Sequence, residues 1–217
     1  MRNALAHLRS SDPIMAAIID RVGPCQIKLA YREPDFRALV RAIVFQQLNG
    51  KAATTIFNRL LEAAGGAITP ESISNLSVAE MRGVGLSKQK LTYIRDLADH
   101  SLEGRLNFSA FPGMSDEEVI AALTQVKGIG VWTAHMFLMF ALRRGNVLPT
   151  GDFGIRSAIQ KAYRKRKMPD AKTIEKLAKP WHPHCTVACW YLWRSLDEPR
   201  ERAAAAANKP RAKTPRQ

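Results

Sequence analysis

The strongest constraint on how this chain folds is a reversal at Val126-Lys127-Gly128-Ile129-Gly130-Val131, set between two segments with helical apolar spacing. The first segment opens on Ser115-Asp116-Glu117-Glu118, where a serine hydroxyl and a glutamate carboxylate satisfy free amides reciprocally. Val119, Ile120, Leu123 and Val126 then fall on one helical face. Gly128 and Gly130 permit positive φ and a tight turn, and a new helix begins near Val131 with Trp132, Met136, Met139 and Phe140 on one stripe. A helix N-terminus carries unpaired amides and the positive end of the helix dipole, so it attracts a phosphate. The two glycines remove side chains that would hold a nucleic-acid backbone away, and Lys127 adds charge at the tip. A plain connection between two helices is the competing reading of such a turn.

The segment after the second helix narrows the choice. A Gly/Pro-containing loop from Arg143 to Gly151 delivers Asp152 to the start of another helix, where a carboxylate caps free amides and the dipole favours an anion. The rest of the chain repeats the helical theme. Ser11-Asp12-Pro13 starts a helix with Ile14, Ala17, Ile18 and Val22 on its apolar face. Cys25 to Glu33 reads as extended or looped, and Pro34 or Asp35 opens a helix carrying Phe36, Leu39, Val40, Ile43, Val44 and Leu48. Further starts occur at Lys51, Thr69, Ser77, Ser87 and Asp170, and Trp181 to Ser195 reads as the last helix. No strand-like alternation of useful length occurs, so the expected class is all-α.

The formal net charge of +14 calls for a polyanionic partner, and without a long apolar run that partner is nucleic acid rather than a membrane interior. Five cations of the tail from Glu201 onward face a single acid, so most of the surplus sits on the body of the chain. The start Met1-Arg2-Asn3-Ala4-Leu5-Ala6-His7 forms no secretory signal. Cys25, Cys185 and Cys189 make no disulfide framework, and a reducing cytoplasm is the simplest compartment.

Gly128-Ile129-Gly130-Val131-Trp132-Thr133-Ala134 and Gly151-Asp152-Phe153-Gly154-Ile155-Arg156 together resemble the paired motif of the helix-hairpin-helix DNA glycosylases, and most closely the DNA-3-methyladenine glycosylase II (AlkA-like) branch. The resemblance spans nearly all of Asp12 to Arg200. It implies a helical core over residues 1–200 without an N-terminal β domain: a central lobe at about 35–148 and a second lobe from 1–34 and 149–200. The hairpin is then expected on one wall of a cleft between the lobes, and residues 201–217 as a basic tail, frayed helix and then disorder.

The same resemblance assigns roles. Asp152 is the catalytic carboxylate, stabilising a sugar cation or activating water. Trp132 stands where glycosylases that also cut the strand carry a nucleophilic lysine, which implies a monofunctional enzyme. Trp132, Phe153 and Trp193 match aromatic positions of a base pocket suited to cationic purines, and Met136 replaces a residue that is usually tyrosine. Core packing is the alternative for each. Lys127, Gly128, Ile129, Gly130 and Thr133 form the DNA-binding hairpin, and the carbonyls of Thr124, Val126 and Ile129 are placed to hold a monovalent sodium or potassium ion. Phe45-Gln46-Gln47-Leu48-Asn49 resembles a Q-Q-x-S segment that wedges into the base stack, so Gln47 or Leu48 is the wedge, though Leu48 equally suits the core.

Gly83-Val84-Gly85 repeats the glycine pattern; a structural turn is one reading, and the family's G-L-S-x-x-K segment, matched at Gly85 to Lys90, puts Lys88 and Lys90 near DNA. The basic turn Arg164-Lys165-Arg166-Lys167 reads as solvated surface. The closing segment from Trp181 to Trp193 matches the family except at Cys185, where arginine is usual. The cysteines do not supply an iron–sulfur cluster, and the setting of His182 and His184 argues against zinc, so no cofactor is required. The expected activity is excision of alkylated purines such as 3-methyladenine from double-stranded DNA by a monomer, in the cytoplasm and at the nucleoid if the source is bacterial. A non-catalytic helix-hairpin-helix DNA-binding module, or a glycosylase for deaminated or oxidised bases, is the alternative. If phosphate docking carries affinity, duplex binding measured by fluorescence anisotropy falls steeply between about 50 and 200 mM salt, by about tenfold or more; a flat salt response contradicts it.

Overall fold

The computed structural model describes residues 1–27 and 35–207, with side chains as far as Asp197, and every regular element among them is helical. In chain order these are α1 (Arg2–Ser11), α2 (Pro13–Val22), α3 (Phe36–Phe45), α4 (Gly50–Ala63), α5 (Pro70–Asn75), α6 (Val78–Gly83), α7 (Lys88–Leu102), α8 (Asp116–Leu123), α9 (Val131–Phe140), α10 (Phe153–Ala162), α11 (Ala171–Ala178) and α12 (Cys185–Ala207). Short 3-10 turns lie at Phe111–Gly113 and Lys179–Trp181.

Short helices leave many orphan amides, and the sequence meets them with side chains. Asp12, Asp35, Asn49, Thr69, Ser77, Ser87, Ser115, Asp152 and Asp170 each cap the helix that they precede, and Ser77 and Ser115 do so in reciprocal boxes with Glu80 and Glu118. By contrast, α1, which starts after Met1, and α9, whose N-cap is Gly130, have no side-chain cap.

Three elements differ from the sequence reading. Helix α1 is additional; only Ala4 and Leu8 of its ten residues are buried, too sparse a stripe to stand out. Helix α3 stops at Phe45, leaving Leu48 outside it and 40% exposed, so Leu48 is not core. The last α-helix begins at Cys185 rather than Trp181, because Pro180 and Pro183 break the segment, and it carries the alanine run to Ala207. The expected loop toward Glu33 and the expected disorder of the tail fall on 28–34 and 208–217, outside the described residues.

The chain divides into two compact units, Met1–Ile27 with Gly145–Gln217, and Lys28–Arg144. In the second unit α7 packs against α3, α5 and α6, α3 also meets α4 and α9, and α8 pairs with α9. Leu39, Val40, Ile43, Ile94, Leu97 and Leu138 are fully buried there. In the first unit α12 packs on α2 and α10, around Met15, Ile19, Ile159, Trp181 and Tyr191. No helix among the described residues is long and apolar enough to cross a membrane.

Asp12 fastens the first unit. Its Oδ1 accepts the amides of Ile14 (2.9 Å) and Met15 (3.0 Å), while Oδ2 accepts the Tyr163 hydroxyl and the Trp181 indole N–H (2.8 Å). Burial, followed by the Asp12 carboxylate, pushes the Tyr163 phenol well above its ordinary pKa. Asp12→Ala removes a cap and two buried hydrogen bonds at once, so urea denaturation should show a loss of about 3 kcal/mol; a loss under about 1 kcal/mol would mean that another contact fastens this unit.

Candidate functional site

The hairpin belongs to the unit Lys28–Arg144 and is built on α7. Within it Gly128 takes a left-handed turn, at φ +80, and a Cβ there would lie 2.1 Å from the Tyr93 ring. No other residue fits this position, on both backbone and steric grounds. Gly130 differs from expectation: its φ is −94, so it is glycine without needing positive φ, and a Cβ there would meet nothing within 4 Å. Its effect is to leave the N-terminus of α9 without a side-chain cap, the state in which amides remain available to an anion.

Lys127 is not a lone charge at the tip. Its backbone amide donates to Asp96 Oδ2 (2.8 Å) and its ammonium lies 3.1 Å from Asp96 Oδ1. Burial pushes the Asp96 carboxyl up, but the Lys127 amide and ammonium, with His100, outweigh it and hold the group below the ordinary carboxylate range. Its folded value being depressed, this tie is complete above the ordinary carboxylate pKa and is lost only as pH falls through the lowered value. Ile129 points inward and is buried, so only its backbone faces outward from the turn.

Lys90, Tyr93 and Asp96 stand at three-residue steps along α7, and all three reach candidate site segments: the corner after α3, the floor under Gly128, and Lys127. Gln46 completes the frame by donating from Nε2 to the Gly128 carbonyl at 2.9 Å. Nothing in the sequence singles out these contacts, and Lys90, expected near DNA, has its ammonium on the carbonyls of Val44 and Gln46. Gly85 has φ +104 and closes on Ile56, a structural turn.

Beside the hairpin lies a cavity of about 520 Å³ lined by Ala42, Phe45, Gln46, Gln47, Trp132, Thr133, Met136 and Phe140. The stripe expected on α9 is therefore split: Met139 is buried, whereas Trp132, at 52% exposure, Met136 and Phe140 face the cavity. Arg41 lies 4.0 Å over the Phe45 ring and braces that wall. Gln47, the polar wedge candidate, is exposed and sits at φ +55.

The unit containing Gly145–Gln217 holds Asp152, Phe153 and Trp193 together. Asp152 caps α10 and is only 8% exposed. Its Oδ1 accepts two donors, the Ile155 amide at 2.7 Å and the Trp193 indole N–H at 2.9 Å. The family resemblance marks Trp193 as a stacking face; in the structure its indole N–H is spent on the Asp152 carboxylate. Gly154 makes this possible, since a Cβ there would stand 2.9 Å from Trp193 Cδ1 and 3.1 Å from Asp152 Oδ1. Phe153 is 72% exposed, so core packing does not explain it. Arg156, the last residue of that motif, turns away to the Pro169 carbonyl (3.0 Å).

Cys185 and Cys189 are buried, and burial pushes their thiols up, Cys185 to about 12. Such groups stay protonated and are poor metal ligands. At the hairpin the donor chemistry does suit a hard monovalent ion. The Val126 carbonyl accepts the Ile129 amide (3.1 Å), while those of Thr124 and Ile129 accept no hydrogen bond among the described residues.

A left-handed glycine turn thus joins α8 to an uncapped α9. Residues 40–183 match the HhH-GPD superfamily of base excision DNA repair proteins, and the chain belongs to that superfamily. It is similar to DNA-3-methyladenine glycosylase 1 of Schizosaccharomyces pombe, with 34% identity over 200 residues covering 90% of this chain and 87% of that protein. Among solved structures it resembles a DNA-3-methyladenine glycosidase from Bacillus halodurans (TM-score 0.82, 37% identity, 91% of both chains). It also resembles the Schizosaccharomyces pombe 3-methyladenine DNA glycosylase in complex with abasic DNA (TM-score 0.78, 34% identity, 89% of this chain and 96% of that one).

The two hairpin glycines should respond differently to a methyl group. Gly128→Ala combines a strained φ with a clash against Tyr93 and should cost about 2 kcal/mol or more in chemical denaturation, with weakened duplex binding. Gly130→Ala should stay within about 0.5–1 kcal/mol of wild type. Equal effects would contradict this geometry.

Proposed function

We propose that this chain is a monofunctional DNA glycosylase that extrudes alkylated purines, 3-methyladenine among them, from duplex DNA and hydrolyses the N-glycosidic bond. The observation that carries this reading is Asp152, a nearly buried carboxylate whose Oδ1 is fixed by its own helix and by Trp193. Departure of the base leaves positive charge on the sugar, and an oriented carboxylate stabilises that charge without reorganising. The alkylated base is already cationic and leaves readily, so no dedicated general acid is needed. Indole and phenyl faces of the cavity at Trp132, Phe45 and Phe140 attract such a cation.

No lysine stands at position 132, so no amine attacks the sugar and the strand stays intact. The uncapped start of α9 takes a backbone phosphate, and Gln47 fills the space left by the extruded nucleotide. The Thr124, Val126 and Ile129 carbonyls would hold a sodium or potassium ion, which supplies positive charge toward that phosphate when bound; no other cofactor enters the reaction. The protein acts as a monomer on double-stranded DNA, in the cytoplasm and at the nucleoid if the source is bacterial.

Methylated duplex DNA is incubated with the protein and treated with alkali to reveal abasic sites as strand breaks. Wild type should give alkali-dependent breaks, whereas Asp152→Asn should lower the single-turnover rate by at least about 10²-fold while binding DNA as tightly. Undiminished activity of the variant removes Asp152 from the chemistry, and no breaks with wild type would make the protein a non-catalytic binder.

A further inference from the structure

The corner after α3 is held from outside the helix that it ends. Residues at a helix C-terminus leave carbonyls without an intrahelical donor. Here the backbone supplies only long contacts, Gln46 N to Ile43 O at 3.3 Å and Leu48 N to Phe45 O at 3.4 Å. The Lys90 ammonium supplies shorter ones, 2.7 Å to the Val44 carbonyl and 2.8 Å to the Gln46 carbonyl. No carboxylate pairs with Lys90 among the described residues, and burial draws its pKa below the ordinary lysine value. A partly buried cation spent on two carbonyls is costly unless the carbonyls need fixing. They lead directly into the strained position: Gln47 comes next at φ +55, a conformation that disfavours a residue with a side chain. Its neighbour Gln46 carries the connection onward through the Gly128 carbonyl.

We propose that Lys90 is a positioning residue for nucleotide extrusion: by clamping the carbonyls of the α3 corner it holds Gln47 in the left-handed conformation and presents it, already set, to the duplex. This rests on the glycosylase reading above. The advantage is preorganisation, since a corner that had to order on contact would charge that entropy to the extrusion step. Lys90 acts through Gln47 and touches neither base nor sugar.

The test is a double-mutant cycle with Lys90→Met, Gln47→Ala and the combined variant, each with its melting temperature checked. Single-turnover base release is measured on two duplexes, one with the alkylated purine paired and one with it opposite an abasic gap, where extrusion is easy. Lys90→Met should lose about 10- to 100-fold on the paired lesion and much less opposite the gap. It should add no further loss in the Gln47→Ala background, and Lys90→Arg should recover part of the loss. Equal loss on both duplexes, or a full additional loss beside Gln47→Ala, would overturn the proposal, because a merely structural lysine behaves that way. If Lys90→Met lowers the melting temperature strongly, Lys90→Gln, which keeps a donor without the charge, takes its place in the cycle.

Extrusion is also read without chemistry, by 2-aminopurine fluorescence at the lesion position. A wild type that brightens the probe but releases no base overturns the glycosylase reading and leaves the role of Lys90 standing. Equal brightening by wild type and Lys90→Met overturns that role.

Discussion

A protein made of short helices has to satisfy many helix ends, and here that obligation organises the structure around its function. Among the described residues nine helices are capped by a side chain of the residue before them, whereas α9 begins at a glycine that offers none. Helix α1, after Met1, shares the missing cap, but α9 is the one that the glycine turn opens, where a phosphate oxygen would complete what the chain leaves undone. At α10 the same obligation is met by Asp152, and in the proposed function the cap is also the reactive carboxylate. Helix geometry fixes one oxygen and the Trp193 indole fixes its direction, so capping and orientation come from a single atom.

Helix α7 performs the corresponding service for the hairpin unit. One of its faces reaches the α3 corner with Lys90, supports the Gly128 turn with Tyr93 and ties the hairpin tip with Asp96. Gln46 joins corner and turn directly. The proposed wedge at Gln47 and the proposed phosphate site at α9 therefore share one platform, which would keep their spacing constant when a flexible duplex arrives.

The fold class and the main candidates are legible in the chain because they rest on local physics. Capping boxes and helical periods are written within a few consecutive residues, and the Asp152 cap and the Gly128 turn need no more. Features that escape the sequence depend on contacts distant along it. Lys90 meets residues 44 and 46 positions away, and Asp96 meets Lys127 across 31. On a helix surface such residues look like ordinary solvated charges. Gly130 departs from expectation for a related reason: glycine permits positive φ but does not demand it, and only the observed φ of −94 separates an open amide from a turn. At Trp193 the sequence shows an aromatic group suited to stacking but not where its N–H points.

In the proposed reaction the Asp152 carboxylate acts electrostatically: held in one direction by Ile155 and Trp193, it would favour positive charge on the sugar. The most direct test compares the affinity of wild-type protein for two duplexes, one holding a cationic nitrogen analogue of the abasic sugar and one a neutral tetrahydrofuran analogue of the same shape. The cationic duplex should bind at least about 10²-fold more tightly, as a mimic of the transition state does. Equal affinity for the two would contradict an electrostatic role for Asp152.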